Sequence, residues 1–134
     1  MCSSLNVSSL LTEAAVHSVY QYHYAVFEDA NAASGDGTTH AQAVNPFWGA
    51  SPATSRAAGV SPAMQGYFFS FIKTGGDPNK LRKSGSPVWY TYNQQSMQRM
   101  LFPNDPAEVG MEYVSVDLRA KCKYWSEIGP SIGQ

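Results

Sequence analysis

Ser18-Val19-Tyr20-Gln21-Tyr22-His23-Tyr24-Ala25-Val26-Phe27 is the stretch on which the fold turns. Val19, Tyr20, Tyr22, Tyr24, Val26 and Phe27 favour extended structure, and they fall on both odd and even positions. Side chains alternate across a strand, so this run predicts one covered on both faces. Such a strand cannot make a sheet by itself and needs neighbours.

Outward from that strand, the pattern changes period. Val7, Leu10, Leu11, Ala14 and Ala15 recur at helical spacing and give one apolar face to a short helix over roughly 5–15. Residues 28–62 are rich in Ala, Gly, Ser, Pro and Thr, a loop of a length that compact domains keep mainly for function. Ser61 then reads as an N-cap with Pro62 at the first helical position, followed by Met64, Phe68, Phe71 and Ile72 on one face and Gly75-Gly76 as the stop. Turns through Asp77-Pro78-Asn79 to Pro87 lead to short strands at 98–102 and 111–116. A last helix runs from about Val116 to Ile128, with Leu118, Cys122 and Trp125 on one face, Asp117 in the first turn and Gly129-Pro130 beyond. This order describes one α/β domain over residues 1–134, with one convincing long strand, forming one edge of a larger layered structure.

Composition narrows the classes. At 43% hydrophobic and 14% charged, the 134 residues are too apolar for a disordered tail and charge-poor for a free-standing domain. Nine Lys and Arg against ten Asp and Glu, with no basic run, give no electrostatic footprint for nucleic acid or an anionic membrane. No run approaches membrane-spanning length, and the N-terminus has no signal-peptide pattern, so if the parent protein is secreted its signal is expected outside this chain. Asn6-Val7-Ser8 is a formal N-glycosylation acceptor. Cys2 and Cys122 permit an oxidising compartment, and sequence leaves their pairing open.

His40 lies in the Gly35-Asp36-Gly37-Thr38-Thr39-His40 loop soon after the strand, where α/β enzymes place catalytic groups. The residues by themselves leave it either a surface histidine or an acid–base group. Gly59-Val60-Ser61-Pro62-Ala63 is one residue from a nucleophile elbow, but no strand leads into it and Pro62 lacks the N–H that an oxyanion needs. Glu28 and Asp29 read as a solvated strand end, and His17 and His23 as structural histidines without a third metal ligand.

Taken in order, further residues carry a family resemblance from about Val19 to Trp125. They are His40 followed nine residues on by Gly49 after Trp48, then Met64-Gln65-Gly66-Tyr67-Phe68-Phe69-Ser70-Phe71-Ile72-Lys73-Thr74-Gly75 and Asp77-Pro78-Asn79. Trp89 with Tyr92, Met100-Leu101-Phe102, Met111-Glu112, and Cys122 with Trp125 complete the series. This chain resembles the C-terminal portion of a type-B carboxylesterase/lipase, an α/β-hydrolase, with a flavour of the secreted fungal branch. The resemblance implies the last core strand, the catalytic-histidine loop, and the C-terminal helices and short strands of that fold. One departure is Ala43, where the family often carries an acidic residue.

The activity implied is ester hydrolysis without a cofactor or metal, with His40 as the catalytic histidine of a Ser–acid–His triad and a small ester as substrate. In this fold the serine and acid precede the histidine, and residues 1–39 contain no Gly-x-Ser-x-Gly. The expectation is therefore a partial ester hydrolase, inactive alone. The alternatives are a non-catalytic remnant or interaction module, and a subunit completed by a second chain.

Overall fold

The computed structural model describes residues 2–15 and 18–129. A three-stranded sheet in the order β1 (Tyr22–Tyr24), β2 (Gln98–Phe102), β3 (Gly110–Tyr113) forms its centre. β1 runs parallel to β2, with Tyr22 beside Met100 and Tyr24 beside Phe102. β3 returns antiparallel, setting Arg99 opposite Glu112 and Met100 opposite Met111. β1 is shorter than the predicted 18–27 run. The chain around it is still extended and bonded on one side: Tyr92 N donates to Val19 O, Met100 N to Gln21 O, and Ala25 N to Phe102 O. Its other side pairs with no described strand, so a continuous ladder does not form there.

Helices occupy both sides of the sheet. α4 (Arg56–Thr74) packs on one face, where Val60, Met64 and Tyr67 meet Val26, Trp89, Met100 and Phe102. Trp89 is 3% exposed and makes edge-on contacts with Tyr20, Tyr22, Tyr67, Phe68 and Phe102. Such pairs add about 0.5–1.5 kcal/mol each beyond burial. The opposite side carries α1 (Cys2–Glu13) and α5 (Val116–Ile128), which gather Leu5, Tyr92, Val114 and Cys122. A Cys2–Cys122 disulfide ties these two helices, with the Cα atoms 5.1 Å apart.

Several expectations are corrected. α1 turns Leu5 and Ser8 inward, whereas the predicted stripe is exposed: Val7 is 54%, Leu10 62% and Leu11 43% accessible. α4 begins at Arg56 behind the N-cap Ser55, whose hydroxyl accepts from Ala58 N, so Ser61 and Pro62 lie within the helix. Ser61 is buried and donates to Pro46 O at 2.7 Å, an anchoring bond that outranks capping. The buried stripe of α4 is Val60, Met64 and Tyr67; Phe71 and Ile72 are exposed, as is Trp125 on α5. Helical periodicity fixes which residues share a stripe, but the position of the sheet decides which stripe is buried.

The 28–62 stretch is not one open loop. It holds α2 (Asp29–Ser34) and α3 (Val44–Trp48), short helices ended by left-handed Gly35 and Gly49. Gly49 is favoured by its φ of 71°; an added Cβ would also sit 2.4 Å from Gln65 Nε2 on α4, the end of a flexible side chain that could swing aside. No described helix is long and apolar enough to cross a membrane.

Candidate functional site

His40 opens the turn between α2 and α3, at the carboxyl end of β1. Thr38 Oγ1 donates to Val26 O at 3.1 Å, fastening the loop to the extended chain just past the strand. Gln42 holds the turn from both sides: its Oε1 accepts from Thr39 N at 2.9 Å, and its Nε2 donates to Asn31 Oδ1 at 3.2 Å. Val44 N donates to Ala41 O, and Ala41 adopts a φ of 65°, a conformation that disfavours a Cβ. The backbone is thus braced at residues 38, 39, 42 and 44. The His40 side chain is exposed, with no hydrogen-bond partner among the described residues. Ala43 packs partly buried against the main core.

The nearby carboxylates are otherwise engaged. Asp29 pairs with Arg56, which also donates to Phe27 O at 3.1 Å. Glu28 accepts from Ala57 N at 3.5 Å. A cleft of about 220 Å³ lies between the end of β1 and the segment after His40, lined by Tyr24, Val26, Glu28, Gln42, Pro46 and Ser55 among others. Burial, and then the charge of Glu28, push the Tyr24 phenol up to about 12, so it stays protonated at neutral pH. Ser61, spent on Pro46, has no role in this cleft.

A second polar cluster lies across the sheet from α4 and was not singled out as a unit from sequence. His23 Nδ1 lies 2.7 Å from Glu112 Oε1, and Arg99 Nε donates to the same oxygen at 2.6 Å. The carboxylate can only accept, so the shorter contact requires Nδ1–H, and Arg99 Nη2, also 3.2 Å from Nδ1, is then a close neighbour and not a hydrogen-bond donor to it. Burial pushes the Glu112 carboxyl up, but the hydrogen bonds from His23 and Arg99 and the guanidinium charge outweigh it and hold it below the usual range. His23 is thus a satisfied structural histidine; His17 lies outside the described residues.

The motif following α4 also has a physical account. Asn79 accepts from Trp89 N at 2.7 Å through Oδ1 and donates to Trp89 O at 2.9 Å through Nδ2. Ser70 and Thr74 both donate to Asp77 O, closing the turn onto α4. Trp89 Nε1 then donates to Gln21 O at 3.1 Å, so this turn aligns the sheet with the helix.

No protein-family model and no curated protein matches the chain. Among solved structures it superposes on Aspergillus niger EstA, a carboxylesterase, with a TM-score of 0.81 and 24% identity. The match covers 96% of this chain and 26% of that one. The chain accordingly has the fold of about a quarter of an α/β-hydrolase, consistent with the C-terminal part.

Proposed function

We propose that this chain carries the histidine segment of a carboxylic ester hydrolase that works by a Ser–acid–His mechanism, with His40 as its general base and acid. The observation that carries the reading is an exposed histidine, without a hydrogen-bond partner among the described residues, on a braced loop at the carboxyl end of a strand, where α/β folds present ligands. The likeness of fold to a carboxylesterase supports it. In the mechanism, His40 takes the proton of a serine as that serine attacks the ester carbonyl, then returns it to the leaving alcohol. The serine and the orienting acid come from outside residues 1–134, because Ser61 is committed to Pro46 and Glu28 and Asp29 to α4. The disulfide supports a secreted or otherwise oxidising setting.

The test is hydrolysis of short-chain p-nitrophenyl esters, by this chain alone and together with a segment supplying Gly-x-Ser-x-Gly and the acid. The chain alone is expected to match free imidazole. The completed enzyme is expected to lose on the order of 10⁶ in kcat on His40→Ala, as when a triad acts as a unit. Turnover by the completed enzyme that survives His40→Ala would refute the assignment. A second reading, a non-catalytic interaction module, draws support from the exposed Val7, Leu10 and Leu11 stripe on α1.

A further inference from the structure

The outward side of α1 is apolar and without charge. Its inward side is spent: Leu5 enters the cluster with Tyr92, Val114 and Cys122, and Ser8 Oγ accepts from Gln21 Nε2 at 3.2 Å. Asn6 lies on the far side, exposed, and its side chain has no hydrogen-bond partner among the described residues. Leu10, one turn further on, is 62% exposed, and Val7 is 54% exposed. Helical side chains lean toward the N-terminus, so Leu10 reaches back toward Asn6. Residues 2–12 contain no Asp, Glu, Lys or Arg, so no neighbouring charge on α1 solvates this side. As an outer layer over the sheet, the helix turns that side to solvent.

We propose that Asn6 is an N-glycosylation site whose glycan covers Leu10 and Val7 and is attached before α1 folds. Asn6-Val7-Ser8 supplies the acceptor amide, a middle residue other than proline, and the hydroxyl. The Cys2–Cys122 bond is of the kind that persists in the oxidising compartments where such transfer takes place. In the transfer, Asn6 Nδ2 bonds to C1 of the first N-acetylglucosamine of a lipid-linked oligosaccharide. The C1–O bond breaks, the lipid pyrophosphate leaves with its electron pair, and the amide loses one proton. The fold sets the order of events. In an extended chain Asn6 and Ser8 share a face, whereas in α1 they point about 200° apart, and Ser8 Oγ is engaged with Gln21. The folded helix is therefore no acceptor. Its anchors lie far along the chain: Ser9 pairs with Tyr92, 83 residues on, and Cys2 with Cys122, 120 residues on. At about 5–20 residues per second of synthesis, the acceptor stays open for on the order of ten seconds before they emerge. A glycan at Asn6 also occupies the stripe from which the interaction-module reading draws support. The proposal needs an oxidising setting and no esterase activity.

The test expresses the full chain behind a cleavable secretion leader in a eukaryotic host and recovers both exported and retained protein, so that the readout does not depend on export. Peptide-N-glycosidase F is expected to collapse the product to one mass and to leave Asn6 deamidated, located by peptide mass spectrometry. Asn6→Gln and Ser8→Ala should each abolish the modification, and Ser8→Thr, which keeps the hydroxyl, should retain it. Asn6 is exposed, so Asn6→Gln is expected to fold and to raise hydrophobic-dye fluorescence about twofold over the glycosylated protein. An unmodified Asn6 in recovered, disulfide-bonded protein would overturn the site, and so would a bare Asn6 in protein taken from its own source. Equal dye fluorescence with and without the glycan would refute the covering of Leu10 and Val7. Efficient transfer in vitro onto the purified, disulfide-bonded chain would refute the order of events.

Discussion

Replacing Cys2 and Cys122 together by alanine tests how α1 is held. The bond joins residues 120 apart in sequence. Closing a loop of that length in the unfolded chain removes entropy worth about 5 kcal/mol at room temperature, by the chain-entropy relation for cross-links. That is comparable with the whole stability of a typical domain, about 5–15 kcal/mol. Other anchors remain in the variant: Leu5 is 4% exposed, Ser9 Oγ and Tyr92 Oη are 3.2 Å apart, and Gln94 Nε2 donates to Glu13 Oε1 at 2.6 Å. These contacts should leave the native arrangement recognisable but marginal. Urea unfolding followed by tryptophan fluorescence, which reports the buried Trp89, should place the variant and the reduced protein together, both about 4–5 kcal/mol below the oxidised protein. A loss of under about 1 kcal/mol would refute the reasoning: either the cross-link does not form, or the unfolded chain already keeps these ends together.

Three further outcomes follow from the packing. Asn79→Ala removes both side-chain bonds to the Trp89 backbone and should cost about 2–4 kcal/mol, read as a fall in thermal midpoint; a shift within error would mean that water replaces both bonds. Gly49→Ala forces a side chain into a left-handed conformation and against Gln65, and should cost at least about 1–2 kcal/mol; an unchanged melting curve would show that the α3–α4 approach yields easily. Glu112 has its folded pKa depressed, so its contribution is present above the ordinary carboxylate value of about 4.3 and fades as pH falls through the lower folded value. Glu112→Gln should flatten that acid limb of a stability–pH curve, and an identical limb in the variant would dismiss the Glu112 cluster as its source.

Legibility differed from element to element. An extended segment at Tyr22–Tyr24, the helix carrying Met64, β2, and the last helix with its first-turn Asp117 were readable, because side-chain period and turn chemistry are local properties. The expected covering of the strand on both faces is not found: Tyr22 is exposed and the His23 face is polar. His40 entered through family resemblance, and the structure adds its braced loop and its exposure. The cluster of His23, Arg99 and Glu112 could not be read off, since its members are 76 and 13 residues apart and meet only through the β1–β2–β3 register.

The sequence by itself determined where most of the longer helices and the sheet segments fall, and which chemical groups are at hand, but not the short helices α2 and α3 or the start of α4. Tertiary structure decided which stripe of each helix meets the sheet. It exposed Val7, Leu10 and Leu11, put Ser61 and Pro62 inside α4, and joined Cys2 to Cys122. The physical reason is range: dihedral preference and capping act over a few residues, whereas burial and pairing depend on partners that the chain brings from far along its length.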